Sequence, residues 1–351
     1  MTVGLDAYDY ELPRELIAQQ PLANRSDARL MVVDRQRDSI DHYHVRDLPE
    51  LLRSGDILVM NDSRVVPARL VGFRVETRGR WQGLYLRSDP ETGCWEVLSK
   101  TRGKLKPGDT LAVQDRQAKQ SLQLTVVARD PSGSLIVKPG LEGDAADLLE
   151  TYGRIPIPPY IRDGQMVDAD VKDYQTVYAK QPGSVAAPTA GLHFTRELFS
   201  SLQSAGVTGQ AITLHVGLGT FRPIAGDSLD QHQMHSEWGQ ITRETAVELN
   251  EARAQGRRCI AVGTTAVRVL ESAASATGEL QPWTGTTDLF IRPGFRFKAV
   301  DGLMTNFHLP RSTLLVLVST LASIDLIQRA YREAVEQRYR FYSYGDAMLI
   351  L

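Results

Sequence analysis

Between about residues 66 and 152 the chain reads as short β-like runs separated by turns, while after residue 159 strands alternate with helices. The β-like runs fall at residues 68–75, 83–86, 95–98, 110–113, 122–128 and 134–137. Turn sequences separate them, among them Pro107-Gly108-Asp109 and Asp130-Pro131-Ser132-Gly133. About five or six short strands without a helical period predict a small antiparallel β-barrel. Residues 144–150 add one short helix, and Ile155-Pro156-Ile157-Pro158-Pro159 reads as a linker.

The flanking texture is different. Thr195 is placed to cap a helix running to Ala205, with Gly206 at its carboxyl end. Thr242 opens a second helix ending near Gly256, and Thr264 or Thr265 caps a third over residues 266–276. Strands are expected at residues 55–60, 183–187 and 210–216 and at Cys259-Ile260-Ala261-Val262. Strands and helices in this alternation make βαβ units, hence an α/β fold with a mainly parallel sheet and flanking helices. Residues 1–65 and 153–351 are therefore read as one discontinuous α/β domain, with the barrel of residues 66–152 inserted into it. Farther on, Pro310 fits a helix start, residues 313–322 fit either a buried helix or a strand, residues 327–339 are amphipathic and helical, and residues 347–351 make a last strand. A length of 351 residues exceeds what one core usually serves, in agreement with two domains.

Composition narrows the class. The chain is 42% hydrophobic and 23% charged, with 40 basic and 42 acidic residues for a formal charge of −2. That argues against a chain coated in basic charge and leaves room for a local patch. Cys94 and Cys259 are the only cysteines and lie far apart, as expected for free thiols in a reducing compartment. The amino terminus carries Asp6 and Asp9 and no apolar core, and the longest apolar run, residues 314–318, is too short to cross a bilayer. A cytoplasmic protein without a membrane anchor is expected.

Residues 181–195, Q-P-G-S-V-A-A-P-T-A-G-L-H-F-T, contain no Asp, Glu, Lys or Arg. Pro182, Pro188, Gly183 and Gly191 make this segment a poor helix or strand, so it is read either as a packed loop or as backbone exposed to a ligand near Ser184, Thr189 and His193. In open α/β sheets ligands sit beyond the carboxyl ends of the strands. Three strand ends lead into distinctive loops, residues 188–193, 215–220 and 263–265, and parallel neighbours would turn all three toward one crevice. Gly217-Leu218-Gly219-Thr220-Phe221-Arg222 is not a dinucleotide fingerprint, because Arg222 replaces the third glycine and Pro223 follows. Its two glycines instead let backbone approach a ligand beside His215. Gly263-Thr264-Thr265-Ala266-Val267-Arg268 puts a helix amino terminus after a buried strand, a place for an anion with Arg268 as a clamp, or else a plain Thr cap with a surface Arg. His232 and His235 with Glu237 lack zinc-site spacing, so no metal is expected. His42 and His44 are read as surface residues of a strand. Lys100, Arg102, Lys104 and Lys106 form a short basic run, and Arg329, Arg332, Arg338 and Arg340 interleave with aromatics, which suits nucleic acid without establishing it.

A longer series of motifs carries a resemblance. It comprises Tyr8-Asp9-Tyr10-Glu11-Leu12-Pro13, Pro21-Leu22-Ala23-Asn24-Arg25-Ser26, Asn61-Asp62-Ser63-Arg64-Val65-Val66-Pro67-Ala68-Arg69, Pro158-Pro159-Tyr160-Ile161 and Tyr174-Gln175-Thr176-Val177-Tyr178. Residues 186–194, 215–221, 234–237, 262–268, 293–295, 305–310 and 344–348 complete it. In this order the segments resemble the S-adenosylmethionine:tRNA ribosyltransferase-isomerase family of queuosine biosynthesis, essentially end to end. Where that family has a Gly-Lys-x-Glu strand in the barrel, this chain reads Gly79-Arg80-Trp81-Gln82-Gly83, so the family's Glu has no counterpart.

The resemblance implies an α/β domain with an inserted barrel. It implies transfer and isomerisation of the ribosyl portion of S-adenosylmethionine onto 7-aminomethyl-7-deazaguanine at the wobble position of tRNA, with adenine and methionine released. S-adenosylmethionine is then a consumed substrate, no separate cofactor is expected, and the protein is expected to act as a monomer. Such chemistry needs proton transfer, for which His215, His193 and His308 are the candidates, His215 first. Thr189, Gly191, Gly217 and Gly219 are candidate substrate contacts, and Thr264, Thr265 and Arg268 are candidates for the methionine carboxylate. Asp62, Asp288 and Glu237 are candidates for ribose hydroxyls, and Arg64, Lys100, Arg102 and Lys104 for tRNA phosphates. A methyltransferase would need a glycine-rich loop after its first strand, which is not found; a non-catalytic tRNA-binding protein would show tRNA binding without turnover of S-adenosylmethionine.

Overall fold

The computed structural model describes residues 4–131, 133–217, 224, 229–232 and 234–351. The chain divides into two units: Met1–Arg64, Pro158–Asp163 and Lys172–Leu351 form one, Val65–Ile157 and Gly164–Val171 the other. Residues 164–171, grouped on sequence with the α/β part, thus fall with the barrel. Arg69 ties them there, its guanidinium donating to the carbonyls of Gly164 and Ile157.

In the first unit, among the described residues, nine strands form one sheet. Its spatial order is Trp283–Thr287, Glu237–Ile241, Thr208–Leu214, Ile57–Asn61, Cys259–Val262, Gly302–Asn306, Ala347–Ile350, Arg29–Asp34 and Ser39–His44. The expected parallel arrangement occupies the centre. Thr208–Leu214, Ile57–Asn61, Cys259–Val262 and Gly302–Asn306 pair in parallel, as do Ala347–Ile350 and Arg29–Asp34. The remaining pairings are antiparallel, so the whole sheet is mixed. Ile57–Asn61, Cys259–Val262 and Gly302–Asn306 are buried at every position, the signature of strands covered on both faces.

Two apolar clusters divide those strands by residue parity. Ile57, Val59, Cys259 and Ala261 face one cluster, with Val267 and Leu270 of the helix Thr264–Ala273 and Leu315 and Val318 of the helix Thr313–Leu321. Leu58, Met60, Ile260 and Val262 face the other, with Leu198 and Leu202 of the helix Arg196–Ser204. The period of two that sends neighbouring side chains to opposite faces therefore accounts for both cores.

Local signals act as expected at two helix starts. Thr195 Oγ1 accepts from the Leu198 amide at 3.1 Å, and Thr242 Oγ1 from the Thr245 amide at 3.2 Å, opening Arg243–Ala254. The third helix differs. It spans Thr264–Ala273, shorter than residues 266–276, and its cap is Gly263 at φ 91°, which turns the chain out of the strand. Thr264 and Thr265 are helical residues with no capping bond. Residues 313–321 are helical because Ser312 caps them, its Oγ accepting from the Leu315 amide at 3.2 Å. Among the described residues no single helix is long and apolar enough to cross a membrane.

The second unit is a closed six-stranded antiparallel barrel in the order Leu135–Pro139, Trp95–Thr101, Arg80–Ser88, Arg69–Arg74, Thr110–Gln114 and Ser121–Arg129. Inward residues at alternate positions, such as Leu111 and Val113 or Leu122, Leu124 and Val126, fill it. Trp81 plugs the interior with its indole N–H on Ser99 Oγ at 2.8 Å, and a Cβ at residue 83 would stand 2.3 Å from that ring, so Gly83 is required. Chain enters and leaves the barrel side by side: Arg69 and Arg154 exchange backbone hydrogen bonds at 3.0 and 2.8 Å.

Candidate active site

Beyond the carboxyl ends of the central strands lies a crevice. Its wall comes from residues 187–190, Val216, residues 263–265 and residues 305–309, with Tyr160 and Tyr342. Three separate strand ends thus converge, as the parallel arrangement requires. No Asp, Glu, Lys or Arg is among the described lining residues.

Asn306, at the end of a central strand, organises the floor. Its Nδ2 donates to the Tyr342 carbonyl at 3.2 Å, which fixes the orientation of the amide. Its Oδ1 therefore accepts from Thr189 Oγ1 at 2.8 Å, and Nδ2 also donates to His193 Nε2 at 3.2 Å. Thr189 is held at the crevice by this bond. Opposite it stands the amino terminus of Thr264–Ala273. The buried Thr265 Oγ1 lines the crevice and has no hydrogen-bond partner. An orphaned hydroxyl beside free helix amides is a donor set waiting for an anion.

The three histidines separate. His193 is buried behind the crevice, and accepting from Asn306 keeps its Nε2 unprotonated; burial, then the nearby Arg25 charge, pushes its pKa down to about 4. It is a neutral structural ring. His308 does line the crevice, with Nε2 on Thr305 Oγ1 at 2.9 Å, and burial pushes it down to about 3. It stays neutral at physiological pH and offers hydrogen bonding, not a poised base. His215 is not among the lining residues although Val216 is. Its amide bonds the Trp238 carbonyl at 2.9 Å, its Nδ1 meets Ser63 Oγ at 2.8 Å, and its ring stacks on Trp238. The preferred proton carrier of the sequence reading is thus turned to the other side of the crevice wall. Burial lowers its pKa, against the opposing charge of Asp62.

Arg268 corrects a second expectation. Its guanidinium is engaged by Glu237 Oε2 and donates to the Thr287 carbonyl at 3.0 Å, and both ionised residues are 4% exposed. Glu237 Oε1 accepts from the Gly217 amide at 2.7 Å. The pair therefore anchors the backbone at Gly217, and Arg268 is engaged there rather than beside Thr264 and Thr265. Gly217 serves as that anchor point. Gly191 is explained by packing as well: a Cβ there would lie 1.9 Å from Tyr178 Oη. Gly219, with Leu218, Thr220, Phe221, Arg222 and Pro223, lies outside the described residues. Asp62 is buried, accepts from Thr213 Oγ1 at 2.7 Å and has its pKa raised by that burial, while Asp288 is exposed. Lys100, Arg102 and Lys104 are exposed on the barrel unit, and Arg64 is exposed on the α/β unit. Tyr160, Asn306 and Tyr342 were not singled out from sequence; all three lie within or beside motifs of the resemblance, the one signal that pointed to them.

A family model described as queuosine biosynthesis protein matches residues 5–350. The S-adenosylmethionine:tRNA ribosyltransferase-isomerase of Symbiobacterium thermophilum is 52% identical over 347 residues, covering 99% of this chain and 99% of that protein. The enzyme of the same name from Natranaerobius thermophilus is 47% identical over 346 residues, again 99% of each. Among solved structures, an S-adenosylmethionine tRNA ribosyltransferase from Thermotoga maritima is 38% identical with a TM-score of 0.56, covering 98% of this chain and 100% of that one.

Proposed function

The chain belongs to the queuosine biosynthesis protein family, and from that premise we propose that the crevice at the carboxyl ends of its central strands is the seat of the reaction. The protein is an S-adenosylmethionine:tRNA ribosyltransferase-isomerase. It transfers and isomerises the ribosyl portion of S-adenosylmethionine onto 7-aminomethyl-7-deazaguanine in tRNA, giving epoxyqueuosine, adenine and methionine.

The observation that carries the placement is the pairing of a wall without ionised side chains, among the described residues, with the orphaned Thr265 hydroxyl. The sulfonium acidifies the adjacent 5′ carbon, and proton loss there is sensitive to competing water and to stray charge. Among the described residues the crevice wall carries no ionised side chain to compete for that proton. The methionine carboxylate is then assigned to the amino terminus of Thr264–Ala273, where the free amides and Thr265 Oγ1 supply hydrogen bonds and the helix dipole favours negative charge. Thr189, fixed by Asn306, and neutral His308 are assigned polar contacts to the nucleoside. Arg268 and Glu237 act at one remove by holding Gly217.

On this reading S-adenosylmethionine is consumed and no further cofactor takes part. The reacting base is the wobble nucleotide, the protein works as a monomer in the cytoplasm, and Lys100, Arg102 and Lys104 of the barrel meet tRNA phosphates. Turnover with S-adenosylmethionine and a modified anticodon stem-loop should release adenine, and formation of S-adenosylhomocysteine instead would overturn the chemistry. Thr265→Val removes a hydrogen bond to a charged group, so the Michaelis constant for S-adenosylmethionine should rise roughly tenfold to hundredfold. An unchanged constant would remove the carboxylate from that helix end.

A further inference from the structure

Trp238 is 37% exposed on the outward face of the strand Glu237–Ile241. It is not a loose surface ring. The His215 imidazole lies against it with ring centroids 5.0 Å apart and planes 22° from parallel. That imidazole is itself fixed by Ser63 Oγ at 2.8 Å, and Ser63 is buried. Gly183 closes the other side, where a Cβ would stand 2.6 Å from His215 Nε2. The result is a two-ring stack backed by a rigid frame with part of the indole open to solvent.

The cross-strand neighbours of Trp238 and Gln240 are Thr286 and Thr284, exposed hydroxyls without charge. Two nearby carboxylates are buried: Glu237, next to Trp238 in the chain, pairs with Arg268, and Asp62 accepts from Thr213. Exposed Lys180 donates its amide to the Asp62 carbonyl at 2.7 Å, and its charge, like that of His215, acts on the Asp62 carboxylate. An aromatic face with a cation close by fits a nucleobase with its phosphate.

Location selects which nucleotide. Val216 lines the crevice while His215, one residue earlier, meets Trp238 on the other side. A single stretch of backbone thus separates the stack from the proposed reaction site. We propose that Trp238, backed by His215 and with Lys180 close by, is a stacking platform for an unpaired nucleotide of the RNA substrate next to the one that reacts. This deepens the reading given above and rests on it.

The test measures binding of an anticodon stem-loop RNA carrying 7-aminomethyl-7-deazaguanine, together with adenine release, for the intact protein and its variants. Trp238→Ala should weaken RNA binding roughly 5- to 150-fold, the range for loss of one aromatic stacking partner. The Michaelis constant for S-adenosylmethionine should stay within twofold, and Trp238→Phe should recover most of the RNA affinity. Lys180→Glu should weaken binding and reduce its salt dependence. RNA affinity within twofold of wild type in Trp238→Ala overturns the platform while leaving the reaction reading intact, provided wild type releases adenine. Equal losses of RNA affinity, S-adenosylmethionine affinity and melting temperature without rescue by Phe would also overturn it, by making Trp238 a packing residue. Failure of wild type itself to release adenine with this RNA would instead strike the underlying reading.

Discussion

Replacing Glu237 by Gln removes a charge but keeps an oxygen that can accept from the Gly217 amide. The substitution therefore tests the charge on Glu237. In the native protein Arg268 and Glu237 are both almost fully buried, and among the described residues Arg268 has in addition the Thr287 carbonyl, its Nε having no partner. Stranding a buried guanidinium in this way typically costs ~3–5 kcal/mol. For a unit of about 250 residues each kcal/mol corresponds to ~2–4 °C in melting temperature, so Glu237→Gln should lower it by roughly 6–20 °C. Arg268→Met should destabilise as well, by taking from the buried Glu237 carboxylate the guanidinium that it pairs with. The double variant should recover much of the loss, since a buried pair replaced as a pair is often close to neutral. The assay is thermal unfolding followed by circular dichroism, with steady-state kinetics on the same samples. The reasoning fails if Arg268→Met melts like wild type while its Michaelis constant for S-adenosylmethionine rises tenfold or more. Arg268 would then be a ligand clamp after all.

Two further outcomes are expected. His193 and His308 are held neutral with folded pKa values of about 4 and about 3, against ~6.5 when unfolded, so the unfolded chain binds more protons between those values. Stability is fully present above pH ~6.5 and declines as pH falls toward 3, and His308→Asn should flatten the acid limb of a melting-temperature profile; an unchanged limb would contradict the neutral burial. Gly191→Ala should destabilise by ~1–3 kcal/mol because its methyl would overlap Tyr178 Oη, and adding Tyr178→Phe to that variant should restore part of it in urea unfolding. Equal stability of Gly191→Ala with and without Tyr178→Phe would show that the hydroxyl is not the obstacle.

What could be read from sequence was mostly local. Thr195 and Thr242 cap helices through bonds only three residues long, and the barrel follows from strand period and turn chemistry. Part of the convergence was legible from parallel topology: Thr208–Leu214 and Cys259–Val262 flank Ile57–Asn61 in the sheet and lead to the crevice. Residues 188–190 instead arrive from Gln181–Ser184, which pairs with Ser63–Val65 in a separate two-stranded sheet. Side-chain direction was not. Whether His215 or Val216 faces the crevice depends on pairing with Trp238, a register that no local pattern encodes. Arg268 sits at a helix start that suits anions, yet its partner Glu237 lies 31 positions earlier on another strand. Asn306 draws together Thr189, His193 and Tyr342, three positions scattered along the chain. The run at residues 313–321 was ambiguous because a fully buried apolar segment has no face to reveal its period.

The paired entrance and exit of the barrel at Arg69 and Arg154 bear on how this chain assembles. Strand Ile57–Asn61 must find Thr208–Leu214 in register across a long intervening stretch, most of it barrel. Bringing together the ends of a flexible segment the length of that insert opposes pairing by ~4 kcal/mol of chain entropy. Once the barrel has closed, its own strands hold those ends at hydrogen-bonding distance, and the outer sheet experiences only the shorter connections on either side. The insert then behaves as a prefabricated corner in the host chain. An order of events in which the barrel forms first and the large sheet knits across it is the route of least entropic resistance.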